Sequence, residues 1–460
     1  MRLENFTIPR EDIENIHRAT VRVLEEVGVE FFHDKALEVF RNHGAKVEGN
    51  KVFITEELLN KALSTAPETF IWKGLKSDVV VGGDNTITAP FSGVIKIREK
   101  DEVRTINSED FIKITKLIES SKVMDVHNPN ILVPLDIEEE KQRQWAMATT
   151  LKYATKPLIG FTTTKKDAID SIAMAQEFYN NKEDHLLMGI ISPLSPLAYD
   201  GVMLDSLMEY ADKNQSLMIA CCSLPGATSP VTIGGTLVVN SAEVLAGIVF
   251  AQLYKPGTAV VYGNTSGSCD MRYATPAIGS PETALITYAV AELARFYKIP
   301  SRTGGALVDS KLVDMQAGIE STVTVLPPYL GCSNMVLHAC GILDSFNMFG
   351  YEKYMVDEEI VTIAKRLKKG IDTSEEALAV DLIKKIGPQG QFLEEEHTAS
   401  NYRNEHFFSK MFVKEGIQAW EKNGAETLTD RAYKEYEKRI TKFKAKKLTE
   451  REVEILNRYL

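Results

Sequence analysis

Short apolar runs recur along the middle of the chain, and this repeat constrains the fold more than any other feature. Their starts are about 30 to 40 residues apart, the length of one strand with its following helix. Polar or Gly/Pro-rich turns follow the runs, and a helical pattern follows each turn. We therefore predict buried strands at residues 126–133, 157–163, 186–192, 216–223, 259–264, 300–305 and 334–340.

The segments between these runs are predicted to be helices. The helix after the 259–264 run has Ser280 as its N-cap, Pro281 at its first position and Glu282 in its first turn. Seven strand–helix units fit a TIM-type (β/α)8 barrel whose eighth strand the sequence does not locate. A doubly wound sheet would carry a glycine-rich phosphate turn after its first strand, and neither G-x-G-x-x-G nor G-x-x-x-x-G-K-[ST] occurs there. The predicted class is α/β.

Two extensions flank the predicted barrel. Residues 1–106 form an N-terminal α+β extension, with a helix that ends near Gly28 and a small antiparallel element over 79–106. Residues 107–370 form the catalytic barrel. The polar, helical pattern after this point predicts a C-terminal helical extension over residues 371–460.

The bulk composition limits the function classes. The formal net charge of −11 argues against general nucleic-acid binding. No apolar run is expected to approach the roughly 20 residues that span a bilayer, and the first residues lack the apolar core of an export signal. Five cysteines, an odd number spread over 460 residues, do not suggest a disulfide framework. We expect a cytoplasmic enzyme that binds neither nucleic acid nor membrane.

In a barrel of this kind, functional side chains gather at the carboxyl ends of the strands. This rule selects Tyr262 and Asn264 at the end of one run, and Arg302 and His338 in the last two. His338 lies among apolar residues, so a hydrogen-bonded core histidine explains it about as well as a functional group does.

Three further candidates lie between or after the last two of these runs. Glu320 is predicted to lie between a strand and an apolar helix, where an unpaired carboxylate is costly, so it either pairs with Arg302 or serves the site. Tyr329 and Phe346 belong to a late concentration of aromatic residues, most of which we expect in the core or at an interface. A few aromatic faces around a pocket would bind a quaternary ammonium group by cation–π attraction.

The cysteines leave one other chemistry open. Cys221 and Cys222 are adjacent, and a second cluster contains Cys332, His338 and Cys340, so a thiolate zinc site is an alternative. The spacing is poor, because neither C-x-x-C nor H-E-x-x-H occurs, and small buried cysteines in the barrel layers explain the same residues. A hydrolase is disfavoured, because no G-x-S-x-G elbow is present. We predict no bound metal.

Long strings in the second half of the chain point to a family. "GNTSGSCDMRYATPAIGSPETALI", "ELARFYKIPSRTGGALVDSKLVDMQAGIEST" and "NMVLHACGILDSF" resemble the trimethylamine methyltransferase family. Upstream, "ISPLSPLAYDGVMLDSLMEYA" and "PGATSPVTIGGTLVVNSAEVLAGI" are similar to the same family in order and spacing. The resemblance extends from Leu3 to Trp420, which is most of the chain.

The resemblance implies a (β/α)8 barrel enzyme that moves a methyl group from a methylamine to the cobalt of a corrinoid protein. Archaeal trimethylamine members carry pyrrolysine in the late barrel, whereas this chain is written entirely in the twenty common residues. Members without pyrrolysine resemble methyltransferases for quaternary amines. The implied substrate is therefore a quaternary amine, with glycine betaine favoured over proline betaine and carnitine.

The resemblance also implies that cob(I)alamin is the methyl acceptor and that a separate corrinoid protein carries it. No D-x-H-x-x-G string marks a cobalamin-binding module in this chain, and we expect no tightly bound cofactor. Cobalt is itself the nucleophile, so no catalytic side chain is predicted. We expect the enzyme to act mainly by positioning and desolvation, and to be a homo-oligomer.

A betaine offers two groups to the predicted site. Candidates for its carboxylate, through charge-assisted hydrogen bonds, are Arg302, His338, Asn264 and main-chain N–H groups near Gly263. Candidates for its ammonium group, with one carboxylate as charge complement, are Tyr262, Tyr329, Phe346 and Glu320. Two alternatives stay open: a zinc-dependent corrinoid methyltransferase that uses the cysteines, and a non-catalytic betaine-binding protein.

Overall fold

A central parallel sheet surrounded by helices organises the chain, whose residues 8–460 are described by a computed structural model. The helices are α1 (Arg10–Arg22), α2 (Asp34–Asn42), α3 (Glu56–Leu63), α4 (Ser108–Ser120), α5 (Gln142–Tyr153), α6 (Lys165–Tyr179), α7 (Gly201–Asp212), α8 (Ile233–Tyr254), α9 (Pro281–Phe296), α10 (Met315–Leu330), α11 (Tyr351–Lys369), α12 (Glu375–Leu378), α13 (Val380–Ile386), α14 (Glu396–Glu405), α15 (Ile417–Lys422), α16 (Leu428–Lys442) and α17 (Glu450–Leu456). The first seven residues of the predicted N-terminal extension lie outside the described residues.

The strands are short and most of them lie before residue 305. They are β1 (Val29–Phe31), β2 (Lys46–Glu48), β3 (Lys51–Phe53), β4 (Thr69–Trp72), β5 (Val79–Gly82), β6 (Ile87–Thr88), β7 (Lys96–Glu99), β8 (Glu102–Thr105), β9 (Leu158–Ile159), β10 (Leu187–Ile191), β11 (Ala198–Tyr199), β12 (Ser216–Cys221), β13 (Val260–Asn264), β14 (Ser268–Asp270), β15 (Thr275–Ala277), β16 (Ser301–Gly304), β17 (Met335–Leu337), β18 (Ile342–Leu343) and β19 (Met348–Gly350).

Seven strands form the central sheet, in the order β6-β17-β16-β13-β12-β10-β9, and every neighbouring pair is parallel. At one edge, Asp125 N donates to Thr88 O of β6 over 2.9 Å. At the other edge, His127 N donates to Pro157 O over 2.8 Å, and Ile159 N donates to His127 O over 3.0 Å. One short segment therefore bonds to both edges of the sheet.

Most of the predicted strands lie in this sheet. Six of the seven predicted runs contain one of its strands, and the run 126–133 supplies the segment that bonds to both edges. The strand that the sequence did not locate is β6, which pairs with β17. It escaped prediction because it has only two residues and lies in a stretch whose alternation favours antiparallel pairing.

Side chains on the central strands alternate between two apolar clusters. The inner cluster fills the concave side of the sheet and includes Ile87, Ala89, Val126, Ile159, Met188, Met218, Val261, Met335 and Leu337. The outer cluster lies between the strands and the helices. The inner cluster is therefore a packed core, and burying one of its large apolar side chains stabilises the fold by about 1.5–3 kcal/mol.

Helix α8 is the longest helix of the described residues and packs on β12, β13 and α1. Thr232 caps it, because the Thr232 hydroxyl accepts from Gly235 N over 3.3 Å. Within residues 8–460 it is the one helix long and apolar enough to span a bilayer, and 72% of its most apolar window is buried inside the structure. The prediction that no apolar run approaches this length is therefore wrong for α8, which has 22 residues, and its burial makes it a core helix.

The residues before 107 contain the predicted helix and pair with strands of the central unit. After α1 a π-helical segment, Val23–Val27, leads to Gly28, whose φ of 77° favours glycine. Strand β1 pairs with β3 and also with β11, which follows β10. Within 79–106, β5 pairs with β4 and β7 with β8, both antiparallel, while β6 joins the central sheet. The division at residue 107 stays a prediction, and β6 lies on its N-terminal side.

The helices after residue 370 pack unevenly. Helices α12 to α15 bury no residue, whereas α16 packs on α11 and α4. There Arg439 binds the Glu358 carboxylate and donates to Leu117 O over 3.0 Å. The side chains of Arg439 and Glu358 are 15% and 11% exposed, so this ion pair is a nearly buried link between α16 and α11.

We expect Arg439→Met to lower the free energy of unfolding by about 3 kcal/mol, because Glu358 then stays buried without its cation. Urea unfolding followed by circular dichroism measures the change. The matched control is Arg22→Met, which removes an exposed ion pair with Glu26 and should cost less than about 1 kcal/mol. Equal losses in the two variants would contradict the anchoring role of Arg439.

Candidate functional site

One charged side chain, Arg302 of β16, points to the concave side of the central sheet. It is 1% exposed, and in register it lies beside Met335 of the inner cluster. Its Nη1 donates to Asn264 O over 2.8 Å and to Thr265 Oγ1 over 2.6 Å. Asn264 ends β13 and Thr265 follows it, so the guanidinium lies at the carboxyl end of the strands.

The Arg302 guanidinium has no carboxylate partner within residues 8–460. Its Nε is buried and has no hydrogen-bond partner among these residues. Burial lowers the pKa of Arg302 to about 10, and the groups that oppose this shift are the Cys222 and Cys221 thiols. A buried guanidinium with a free donor suits a carboxylate ligand, which would supply both the missing charge and the missing acceptor.

His338 lies directly after β17, close enough to Arg302 for the guanidinium charge to act on the imidazole. It is 5% exposed, and burial, followed by the Arg302 charge, lowers the pKa of His338 well below its usual value. The imidazole is therefore neutral at physiological pH. Its Nδ1 accepts from Ser92 N over 3.3 Å, which places the ring proton on Nε2.

Phe346 packs edge-on against His338, with ring centroids 5.0 Å apart. Both residues have left-handed backbone, with φ of 60° for His338 and 77° for Phe346. Such a conformation costs about 1–3 kcal/mol in a residue of this size and concentrates at functional sites. The loop of Phe346 is held by Ser345, whose N donates to Val308 O over 3.1 Å and whose Oγ donates to Asp309 Oδ1 over 2.6 Å. The structure thus brings Arg302, His338 and Phe346 together.

Asn264 supports Arg302 through its main-chain carbonyl, while its side chain is bonded within the fold. Its Oδ1 accepts from Asn240 Nδ2 over 3.1 Å and from Ser266 N over 3.2 Å. Ser266 Oγ donates to Asn240 Oδ1 over 3.2 Å and accepts from Ser223 N over 2.8 Å. This network fixes the loop that holds the guanidinium.

The two predicted tyrosines lie between the sheet and the helices. Tyr262 belongs to the outer cluster, where its hydroxyl bonds to Ser241 Oγ over 2.6 Å and its ring stacks on Tyr297 at 6.1 Å. Tyr329 bonds to Thr88 Oγ1 over 2.7 Å and also belongs to the outer cluster. The structure does not bring either ring to Arg302. Tyr262 points to the outer face of β13, because successive side chains on a strand alternate between the two faces, and Tyr329 lies on helix α10.

Glu320 bonds to a loop instead of Arg302. Its Oε2 accepts from Asp309 N over 2.7 Å and from Ser310 N over 3.1 Å. Asp309 in turn accepts from Ile278 N over 3.0 Å. These two carboxylates link the loops that follow β13 and β16, and the expected pairing of Glu320 with Arg302 is not formed.

The cysteines do not gather around a common point. Cys221 and Cys340 are buried in the outer cluster, and burial raises the pKa of both thiols well above the usual value. Cys332 lines a cavity of about 290 Å³ with Asn334, at the amino ends of the strands. Within residues 8–460, no group of three or more His, Cys, Asp or Glu side chains is placed to share a metal ion.

Three residues of the site escaped the sequence analysis. Thr265 binds Arg302, Ser92 binds His338, and Asn240 supports the loop between β13 and β14. Asn240 was predictable from the sequence, because it is an amide in the apolar run of α8, where a polar group without a hydrogen bond is costly. Ser92 was not predictable, since it follows β6, the strand that the sequence did not locate.

Comparison with known proteins reveals close relatives. Residues 4–460 match the family described as trimethylamine methyltransferase (MTTB). A glycine betaine methyltransferase of Desulfitobacterium hafniense (strain Y51) is 39% identical over 433 residues, which cover 92% of this chain and 90% of the relative. A proline betaine:corrinoid methyltransferase of Eubacterium limosum is 38% identical over 467 residues, covering 98% and 96%. An L-carnitine:corrinoid methyltransferase of the same species is 34% identical over 471 residues, covering 99% and 97%.

The fold also has a solved counterpart. The crystal structure of the Methanosarcina barkeri monomethylamine methyltransferase (MtmB) matches with a TM-score of 0.59 at 13% identity, covering 96% of this chain and 89% of that one. This likeness and the parallel sheet confirm the predicted α/β class. The resemblance found in the sequence is confirmed as well, and the chain belongs to the trimethylamine methyltransferase (MTTB) family.

Proposed function

We propose that this chain transfers a methyl group from a quaternary amine to the cob(I)alamin of a separate corrinoid protein, with glycine betaine as the preferred substrate. Relatives that share 34% to 39% identity with it carry the names of glycine betaine, proline betaine and carnitine methyltransferases. All three compounds combine a quaternary ammonium with a carboxylate. The single observation that carries this substrate class is the buried Arg302, which has no carboxylate partner within residues 8–460.

In the proposed complex, the substrate carboxylate lies against Arg302 and accepts from its free Nε. Nη1 is already fixed by Asn264 O and Thr265 Oγ1, so the guanidinium is oriented before the substrate arrives. Hydrogen bonds to a desolvated charge are stronger than those to a hydrated one. An amine without a carboxylate would leave the buried charge uncompensated, which favours betaines over simple methylamines.

The ammonium group lies nearest to Phe346 in this proposal. An aromatic face attracts a quaternary ammonium by about 0.5–2 kcal/mol. His338 beside it is neutral, because burial and Arg302 keep its pKa low, and a neutral ring does not repel the cation. Tyr262 and Tyr329 keep packing roles between the sheet and the helices.

The reaction needs no nucleophile from the chain. Cobalt(I) attacks one N-methyl carbon in line with the C–N bond, that bond breaks, and its electron pair stays on nitrogen. Dimethylglycine leaves with an uncharged amine, and the methyl group remains on cobalt, which is then formally Co(III). No proton moves, so the chain contributes orientation and exclusion of water.

The proposed function is accompanied by a proposed barrel closure, two extensions, a cellular location and an oligomeric state. We infer that the sheet is a closed (β/α)8 barrel that begins at β6, and the bonds of Asp125 and His127 to both sheet edges support this. N-terminal and C-terminal extensions flank the barrel. We also propose a cytoplasmic homo-oligomer that works without pyrrolysine, in keeping with a chain written in the twenty common residues.

We expect Arg302→Met to weaken glycine betaine binding by about 100-fold, since hydrogen bonds to a charged group are worth about 1.5–3 kcal/mol. Binding of tetramethylammonium, which has no carboxylate, should change by less than about threefold. Isothermal titration calorimetry measures both affinities. The matched control is Arg302→Lys, which keeps the charge and should retain part of the betaine affinity.

Thermal unfolding separates this effect from a folding defect. Burial disfavours the charged form of Arg302, as its pKa of about 10 indicates, so Arg302→Met should unfold at the wild-type temperature or higher. Equal weakening of both ligands in a folded variant would exclude the carboxylate role. The methyl-transfer proposal itself fails if the wild type forms no methylcobalamin from cob(I)alamin and any quaternary amine.

His338 gives the stability a signed pH dependence. Its folded-state pKa lies well below 6.5, so unfolding takes up a proton in acid. Stability is therefore lost as the pH falls from 6.5 toward the lower folded-state value. We expect His338→Gln to lose less stability than the wild type between about pH 7 and pH 5, measured by urea unfolding. Exposed His43→Gln is the control, and identical losses in all three proteins would contradict a neutral His338.

A further inference from the structure

A short β-hairpin stands on the loop after β13, at the same end of the sheet as Arg302. Its strands β14 and β15 pair antiparallel, from Ser268 opposite Ala277 to Asp270 opposite Thr275. Residues 271–274 form its tip. The hairpin begins three residues after Thr265, which binds the guanidinium, so its sequence continues directly from the candidate site.

The base of the hairpin is fixed to the body of the chain. Ser268 N donates to Thr283 Oγ1 of α9 over 3.1 Å. Ile278 N and Gly279 N donate to the two carboxylate oxygens of Asp309, each over 3.0 Å. These bonds hold the base against α9 and against the loop after β16, so the tip projects from a rigid support.

The tip exposes large apolar side chains. Met271 is 63% exposed and Tyr273 is 73% exposed. Val231, on the loop after β12, is 66% exposed and lies next to Met271. Both side chains border Gly226: a Cβ built on Gly226 would lie 3.3 Å from the Met271 sulfur and 3.7 Å from a Val231 methyl group. We call Val231, Met271 and Tyr273 the rim patch.

Packing of the chain does not account for the rim patch. None of its three residues belongs to an apolar cluster of the described residues. Methionine adapts its shape to a partner, and tyrosine combines an apolar ring with a polar end, so both are enriched at protein interfaces. Arg272 between them is ion-paired with Asp270 over 2.6 Å and lies over the Tyr273 ring at 5.6 Å, which adds a third residue type favoured at interfaces.

We propose that the rim patch is a docking surface for the corrinoid protein, an inference that rests on the proposed function. Cobalt can reach a methyl group held near Arg302 only from the carboxyl ends of the strands, because the inner cluster fills the space below. The protein that carries the corrin ring must therefore contact the loops around that end. Two neighbouring loops build the rim patch there, and it offers that protein an exposed apolar surface.

The test uses the full chain and its cognate corrinoid protein loaded with cobalamin. The variant combines Met271→Glu with Tyr273→Glu, which places two charges on the rim patch and leaves the buried site intact. The matched control combines Ile71→Glu with Val80→Glu. These two exposed residues face each other across β4 and β5, at the amino-terminal end of the sheet.

We expect the Met271/Tyr273 variant to bind the corrinoid protein at least about tenfold more weakly than the wild type, because tyrosines at such surfaces often dominate affinity. Its kcat/KM toward the corrinoid protein should fall in parallel, while its rate with free cob(I)alamin should change by less than about twofold. The Ile71/Val80 control should equal the wild type in all three measurements. Biolayer interferometry measures the binding, and absorbance of methylcobalamin measures the rates.

Unchanged affinity for the corrinoid protein in the folded Met271/Tyr273 variant overturns the inference. A change of oligomeric state with unchanged affinity also overturns it, since the rim patch would then join copies of this chain. Failure of the wild type to methylate free cob(I)alamin counts against the proposed function alone, because binding is measured without turnover. If the glutamate variant does not fold, Met271→Ser combined with Tyr273→Ser decides by the same comparison.

Discussion

Parallel pairing of the central strands governs how this molecule is organised. Because all seven strands run in one direction, their carboxyl ends lie on one side, where loops from distant parts of the sequence meet. Arg302, His338 and Thr265 come together from three neighbouring strands in this way. The same pairing fills the concave side with apolar side chains, so any charge placed among them is shielded from water.

The chain holds its buried guanidinium with neutral groups. A main-chain carbonyl of Asn264 and the Thr265 hydroxyl bind Arg302. Two carboxylates that follow β16 bind other groups: Glu320 of α10 accepts from main-chain N–H groups, and so does Asp309 of the preceding loop. A protein carboxylate on Arg302 would neutralise it and compete with an anionic ligand. Because these acids are bonded elsewhere, the Arg302 charge has no carboxylate partner within residues 8–460, as the proposed binding of a substrate carboxylate requires.

Much of the fold was readable from the sequence, because a strand buried on both faces is a continuous apolar run. Two-residue β6 was not readable, since it is too short to show a pattern. For the site, the sequence predicted which residues lie at the strand ends, but it did not predict which face of the sheet each side chain occupies. Position alone placed Tyr262 with Arg302 at the strand ends, but a side chain's face depends on register, and Tyr262 faces α8. The partners of Glu320 were beyond prediction, because they are main-chain amides of an irregular loop.

The hairpin over the site is bonded to the body at its base, and its tip exposes Met271 and Tyr273. Mutations in residues 271–274 can therefore accumulate without moving Asn264 or Thr265, which orient the guanidinium. In the proposed complex, the residues that orient Arg302 and the residues that would contact the corrinoid protein lie in separate stretches of one loop. If the rim patch binds the corrinoid protein as proposed, drift at the tip alone would change the partner, while the residues that orient Arg302 stayed under selection.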